Sequence, residues 1–264
     1  MKNLTSLSQE KRVFTPNPEL ASHAAIRSMD AYHALYAQAK DEPERFWEER
    51  AINLLSWKKP FTQVLDESTA PHYRWFADGY LNASYNCLDR HVEAGNGQRT
   101  AIIFEGDDGL SREYSYEVLL RQVGRFANAL KRRGIQKGDR VMLYLPMSVE
   151  CVIAMQACAR IGAIHSVVFA GFSAKSLHER MVDTGAVAVI TSDQQVRGGK
   201  LLPVKTFVDE ALELGGCEAV HSVIVYQRTG TQVPMQAGRD LTWAQATAGQ
   251  PAVCEPVWVE AEHP

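Results

Sequence analysis

Two short stretches carry residue types suited to gripping a phosphorylated ligand. In Arg197-Gly198-Gly199-Lys200, two cations flank two glycines. Glycine lets the backbone come close to a ligand, and Arg197 and Lys200 add fixed positive charge for a phosphate or another anion. Phe169-Ala170-Gly171-Phe172-Ser173 is the companion stretch. Gly171 again permits close approach, and Phe169 or Phe172 offers a ring on which a flat ring can stack. Ser173 reads as a helix cap rather than a nucleophile, because no base is evident to activate it. The pair would suit the ring and phosphates of a nucleotide-like ligand. A Gly-Gly turn with incidental basic neighbours is the plainer alternative for the first stretch, and on the residues alone both readings stand. None of the short fingerprints G-x-G-x-x-G, G-x-x-x-x-G-K-[ST] or G-x-S-x-G occurs.

The elements that must position these stretches form a β-α-β-α-β pattern between Gly134 and Lys200. Apolar runs at 141–145, 165–169 and 186–191 alternate with helical periods at 148–161 and 173–184. Strands alternating with helices of this length imply parallel pairing through helical crossovers, and all-apolar runs fit strands covered on both faces. Ligands of such sheets gather beyond the carboxyl ends of the strands, where 169–173 and 197–200 fall. A helix expected to open near Pro203 would add its N-terminal N–H groups and dipole to the second stretch. The fold class expected is therefore α/β, a largely parallel sheet with flanking helices, preceded by a helical, aromatic-rich extension.

At 264 residues the chain exceeds a typical domain of roughly 100 to 200. With 45% hydrophobic and 22% charged residues it has an ordinary globular composition. A net charge of −3 without a basic stripe disfavours nucleic-acid partners. No apolar run approaches the length that spans a bilayer, and the N-terminus lacks a signal-like core, so a soluble cytoplasmic protein without a membrane partner is expected. The five cysteines are odd in number and scattered, which fits reduced thiols, with Cys151 and Cys158 as core residues on one helix. The eight histidines show no ligand spacing, so no metal site is expected.

Residues 1 to about 20 read as a polar arm. Helical periods follow from Ala21 to Asp41 and from Pro43 towards Pro60, the second capped by Asp41 and turning Phe46, Trp47, Ile52 and Leu55 inward. The aromatic cluster His72, Tyr73, Trp75, Phe76, Tyr80 and Tyr85 reads as packing of this extension, with a ligand-facing Asp89/His91 pair as the sharper alternative. A soft boundary near Gly95-Asn96-Gly97 separates residues 1–95 from 96–264. Strands are expected at 100–104 and 112–116 around the turn 105–109. A helix capped by Ser115 ends in Lys131-Arg132-Arg133, read as a solvated basic end. After Lys200 come a helix to about Leu214, a strand at 222–226 and a short helix at Trp243. Val257 and Trp258 look uncovered.

At the level of longer motifs the chain becomes specific. KGDRVMLYLPMSVECVIAMQACARIGAIHSVVFAGFSAKSLHERM, with VITSD and RGGK after it and FWEERAINLLSWKKPFTQVLD, WFADGYLN, NCLDRH and AIIFEGDD before it, resembles the AMP-forming acetyl-CoA synthetases of the adenylate-forming superfamily. The likeness runs from about Ala31 onward and matches only the N-terminal portion of those enzymes. It implies an N-terminal extension at 1–95 and, at 96–264, the first part of the AMP-binding (adenylation) domain, truncated before the phosphate loop. The implied reaction joins acetate, ATP and CoA through an acetyl-adenylate, with Mg accompanying ATP. The phosphate loop, acyl pocket and catalytic lysine would lie beyond Pro264, so no catalytic residue is expected within these residues, and alone they should be silent. By the same resemblance Phe169, Ala170, Gly171, Arg197, Gly198, Gly199 and Lys200 match the CoA nucleotide site, with Ala170 standing where the family commonly has Gly and Lys200 where it often has Arg. The expected partners are small molecules: acetate or another short carboxylate, ATP and CoA. A propionyl-CoA synthetase, a non-catalytic CoA- or nucleotide-binding module and a structural subunit are the alternatives.

Overall fold

The computed structural model describes residues 12–106, 109 and 111–264. It divides between Leu54 and Leu55 into two compact units. The N-terminal unit holds α1 (Pro18–His23), α2 (Met29–Asp41) and α3 (Pro43–Leu54). The end of the expected polar arm is thus helical, because Asn17 caps α1 by accepting the Glu19 N–H at 2.9 Å. The period that begins at Ala21 breaks at Ala24–Ser28, where Ser28 caps α2 by accepting the Ala31 N–H. Asp41 closes α2 rather than capping α3. Trp47 and Ile52 are 49% and 59% exposed, against the inward direction expected of them. Among the described residues of these three helices Ala51 is buried.

In the larger unit, three short strands come first: β1 (Leu65–Asp66), β2 (Arg74–Trp75) and β3 (Tyr80–Leu81). Two π-helical turns and the antiparallel hairpin of β4 (Thr100–Glu105) and β5 (Ser111–Ser115) follow. Residues 107 and 108 of the turn expected between those strands lie outside the described residues. Then come α4 (Tyr116–Arg132), β6 (Arg140–Tyr144), α5 (Val149–Ile161), β7 (Ile164–Val167), α6 (Ala174–Thr184) and β8 (Ala188–Ser192). The chain goes on through β9 (Gln195–Arg197), β10 (Lys200–Leu202), α7 (Val204–Glu213), β11 (Ser222–Tyr226), β12 (Asp240–Thr242), α8 (Trp243–Thr247) and β13 (Val259–Glu260).

The central sheet has the order β12-β11-β8-β6-β7, every pair parallel. Counted along the chain that is 2-1-3-4-5 read from the β7 edge, so the winding reverses between β6 and β8. Alternation along each strand feeds two apolar layers. Val141, Leu143, Ile190 and Ile224 face α4 and α5, whereas Met142, Tyr144, Val189 and Val223 face α6 and α7. Helix α4 places Leu119, Val123, Phe126, Ala127 and Leu130 in the first layer, and Phe126 stacks on Trp243 at 3.8 Å between centroids. Each of the larger side chains among these, fully buried, stabilises by about 1.5–3 kcal/mol. Four of the five cysteines are buried and all five are free thiols.

Three readings of local sequence change in this setting. Arg133 is no solvated helix end: it donates to the Ser222 hydroxyl and to the carbonyls of His221 and Gly238 at 2.9–3.0 Å. Asp89 faces no ligand; both its oxygens accept from Arg160 at 2.8 Å, and His91 packs on the Tyr116 ring. Val257 and Trp258 are half-buried, because their partners come from far back in the chain. The Val257 N–H donates to the Arg160 carbonyl, its own carbonyl accepts from Asn82, and Trp258 meets the Tyr85 ring at 5.1 Å. Beyond them β13 pairs with β3. Of the aromatic cluster, Phe76 packs with Trp57 and Phe61 from outside it at 4.6–5.9 Å, while His72 and Tyr73 are exposed.

Candidate nucleotide site at the sheet edge

A cleft of about 760 Å³ opens where the winding reverses, beyond the carboxyl ends of β6, β7 and β8. Crossovers leave β6 and β8 on opposite sides of the sheet there, and the connecting loops diverge to leave a crevice. Leu145, Pro146 and Met147 after β6, Val168, Phe169 and Ala170 after β7, and Gln195, Val196 and Arg197 after β8 supply the walls, with Phe104 and Glu105 from β4. The lining is mostly apolar, with Arg197 and Arg228 as its cations and Glu105 as its acid. Cys151 also lines it, but burial holds its thiol above the ordinary value, so it serves as wall and not as nucleophile.

The loop after β7 is pinned from three sides. Ser173 caps α6 by accepting the Ser176 N–H, as its place in the sequence implies. The Tyr144 hydroxyl donates to the Phe172 carbonyl at 2.7 Å, and burial raises that phenol to about 12, so it stays a donor. Gln195, 6% exposed, donates its side-chain amide to the Ala170 carbonyl and thereby ties this loop to the one after β8. Ala170 is 2% exposed and belongs to the apolar layer with Val168 and Leu177. Its methyl therefore lies in packed surroundings.

Arg197-Gly198-Gly199-Lys200 differs in setting from the loop expected. It is the tip of an antiparallel hairpin, β9 with β10, in which Arg197 pairs directly with Lys200. Gly198 and Gly199 take φ of 56° and 73°, a left-handed pair that closes a two-residue turn and suits glycine. Paired residues project to one face of the ribbon, so the two cations stand side by side. Helix α7 does not open onto this turn. Its N-cap is Pro203, Val204 and Lys205 are fully buried, and the Lys205 N–H is taken by the Asp193 carbonyl. Two intervening strand residues and a proline were enough to turn the helix end away from the basic tip.

Tertiary structure brings Phe169, Gly171 and Arg197 into contact. The Arg197 guanidinium carbon sits 4.9 Å from the Phe169 ring centroid. A Cβ on Gly171 would lie 2.6 Å from Phe169 Cε1 and 2.7 Å from Arg197 Nη1, so glycine is what lets ring and guanidinium close over the backbone. Gly198, Gly199 and Lys200 are exposed and stand outside the cleft walls. Three contributors escaped sequence reasoning: Gln195, Arg228 and Asp193. Asp193 accepts N–H bonds from Arg228, Thr229 and Thr231 at 2.9–3.1 Å and so holds the segment that carries Arg228. The one available signal was their position just after buried strands, β8 for two of them and β11 for Arg228.

A parallel sheet covered on both faces, with a crevice at its winding reversal, is a doubly wound α/β architecture, and comparison with known proteins sharpens that class. Residues 88–264 match the family model described as AMP-binding enzyme, and the chain belongs to that family. Residues 32–87 match the model described as acetyl-coenzyme A synthetase N-terminus. Among curated relatives, the acetyl-coenzyme A synthetases of Paraburkholderia phymatum and Cupriavidus pinatubonensis are each 61% identical over all 264 residues, and that of Burkholderia mallei 57%. The chain spans 40% of the length of these relatives. Among solved structures, acetoacetyl-CoA synthetase from Streptomyces lividans superposes with a TM-score of 0.79 at 26% identity, covering 93% of this chain and 37% of that one.

Proposed function

We propose that these residues belong to an AMP-forming acetyl-CoA synthetase and form one wall of its CoA nucleotide site. The whole reaction would join acetate to ATP as acetyl-adenylate with release of pyrophosphate, after which the CoA thiol displaces AMP. On this reading residues 1–95 are an N-terminal extension and 96–264 the first part of the adenylation domain. Among the described residues no group of three or more His, Cys, Asp or Glu side chains comes together.

The observation that carries the proposal is the meeting of Arg197 with Phe169 beside Gly171 at the mouth of the crevice. An aromatic face for a base and a guanidinium for a phosphate are what a phosphorylated adenosine requires. Lys200, paired with Arg197, adds a second charge as a point cation rather than a fork. Phe169, Ala170 and Gly171 supply the base side; Arg197, Gly198, Gly199 and Lys200 supply the phosphate side. The test is Arg197→Ala in a chimera carrying this chain in place of the matching part of the Paraburkholderia phymatum acetyl-coenzyme A synthetase. The KM for CoA should rise about tenfold or more, the scale of a lost charge-assisted contact, with the KM for ATP little changed. Equal effects on both would overturn the assignment.

A further inference from the structure

Resting on that reading, the geometry points to a coupled exchange at Arg197: without ligand its guanidinium lies on the Phe169 ring, and a phosphate draws it off so that the vacated ring face receives the base. Phe169 is 53% exposed, and Arg197 covers the ring at cation–π distance. Among the described residues Arg197 has no carboxylate partner, so the ring contact is what orients it in the unliganded state. Arg197 is exposed, and the two glycines beyond it have nothing within 4 Å of where their Cβ atoms would lie, so the outer side of the hairpin tip is open. Beneath it the Phe169 loop is held by Gln195 and Tyr144, so the ring is the fixed partner and the guanidinium the mobile one.

The exchange makes the phosphate and the base recognise each other. A nucleotide carrying a 3′-phosphate, as CoA does, supplies a stronger partner for Arg197 than the ring it leaves. A nucleotide without it must displace Arg197 with no compensation, so the resting contact selects against the unphosphorylated form. The competing arrangement is a sandwich, in which the base stacks on the guanidinium while that stays on the ring.

The two make opposite predictions for a ligand lacking the phosphate. Binding of CoA and of 3′-dephospho-CoA would be measured by calorimetry on the chimera described above and on its Arg197→Ala and Arg197→Lys variants. With exchange, Arg197→Ala weakens CoA but tightens 3′-dephospho-CoA about two- to fivefold, the equivalent of an exposed cation–π contact. Arg197→Lys keeps much of the CoA affinity and also tightens 3′-dephospho-CoA. If Arg197→Ala leaves 3′-dephospho-CoA unchanged or weakens it, the exchange is overturned while the CoA site stands. If the unmodified chimera binds neither ligand, the CoA site itself falls and the exchange with it.

Discussion

Replacing Asp89 by Asn should be among the most damaging single changes in the larger unit. Arg160 has a side chain 5% exposed, and Asp89 is 13% exposed, with both carboxylate oxygens held at 2.8 Å by the guanidinium. The guanidinium Nε also donates to the Cys254 carbonyl, and the Arg160 carbonyl accepts from Val257. One ion pair thus fixes a π-helical turn, α5 and the segment leading to β13. Asparagine keeps one acceptor, turns a donor against a donor and leaves a buried cation without its charge partner. Breaking a buried pair in this way costs about 3–5 kcal/mol. For a unit of roughly 200 residues, each kcal/mol moves the melting temperature by about 2–4 °C, so a drop of about 6–20 °C is expected. Urea denaturation followed by tryptophan fluorescence measures the loss. The double replacement Asp89→Leu with Arg160→Met removes both charges and should recover part of the loss, short of all of it because the Cys254 carbonyl loses its donor. A cost below about 1 kcal/mol for Asp89→Asn, the scale of a surface pair, would refute the reasoning.

Glu260 is held down to about 2 by its own backbone N–H, then by Lys137 at 3.1 Å and the Tyr80 hydroxyl at 3.0 Å. A depressed folded value means its contribution is complete above the unfolded value of about 4.3 and is lost as pH falls through the folded one. Pairing of β13 with β3 should therefore loosen between about pH 4.3 and 2, read by amide exchange at Val259 and Leu81, and Glu260→Gln should abolish that step; a transition unchanged in Glu260→Gln would argue otherwise. Burial pushes the Cys158 thiol up to about 12 and raises those of Cys151, Cys217 and Cys254, while Cys87 is exposed. Iodoacetamide at neutral pH should give one adduct in the native chain, at Cys87, by mass spectrometry; comparable labelling of Cys158 would contradict its burial.

The elements around the site were legible because their signals are local. Val141–Leu145 is apolar at every position, and a strand covered on both faces has no polar side to show. Ser115, Ser148 and Ser173 each cap the helix that follows, and each bond spans only three residues. Where the sequence misled, the partner was remote or the intervening chain too short to carry a signal. Trp258 looked uncovered because Tyr85 lies far back in the chain. The basic tip looked like a strand-to-helix loop because β9 and β10 are three residues each, below the length at which alternation can be read.

The chain by itself determined the α/β class, the parallel sheet and the two stretches with the chemistry to hold a phosphorylated ligand. Periodicity and residue type act over a few residues, and both are written directly in the order of the amino acids. Only the tertiary structure decided that Arg197 lies on Phe169, that Gly171 must be a glycine for them to meet, and that the N-terminus of α7 is turned away from both. Those outcomes depend on the reversal of winding between β6 and β8. It sets loops from three strands around one crevice, a relation between distant segments that no local pattern contains.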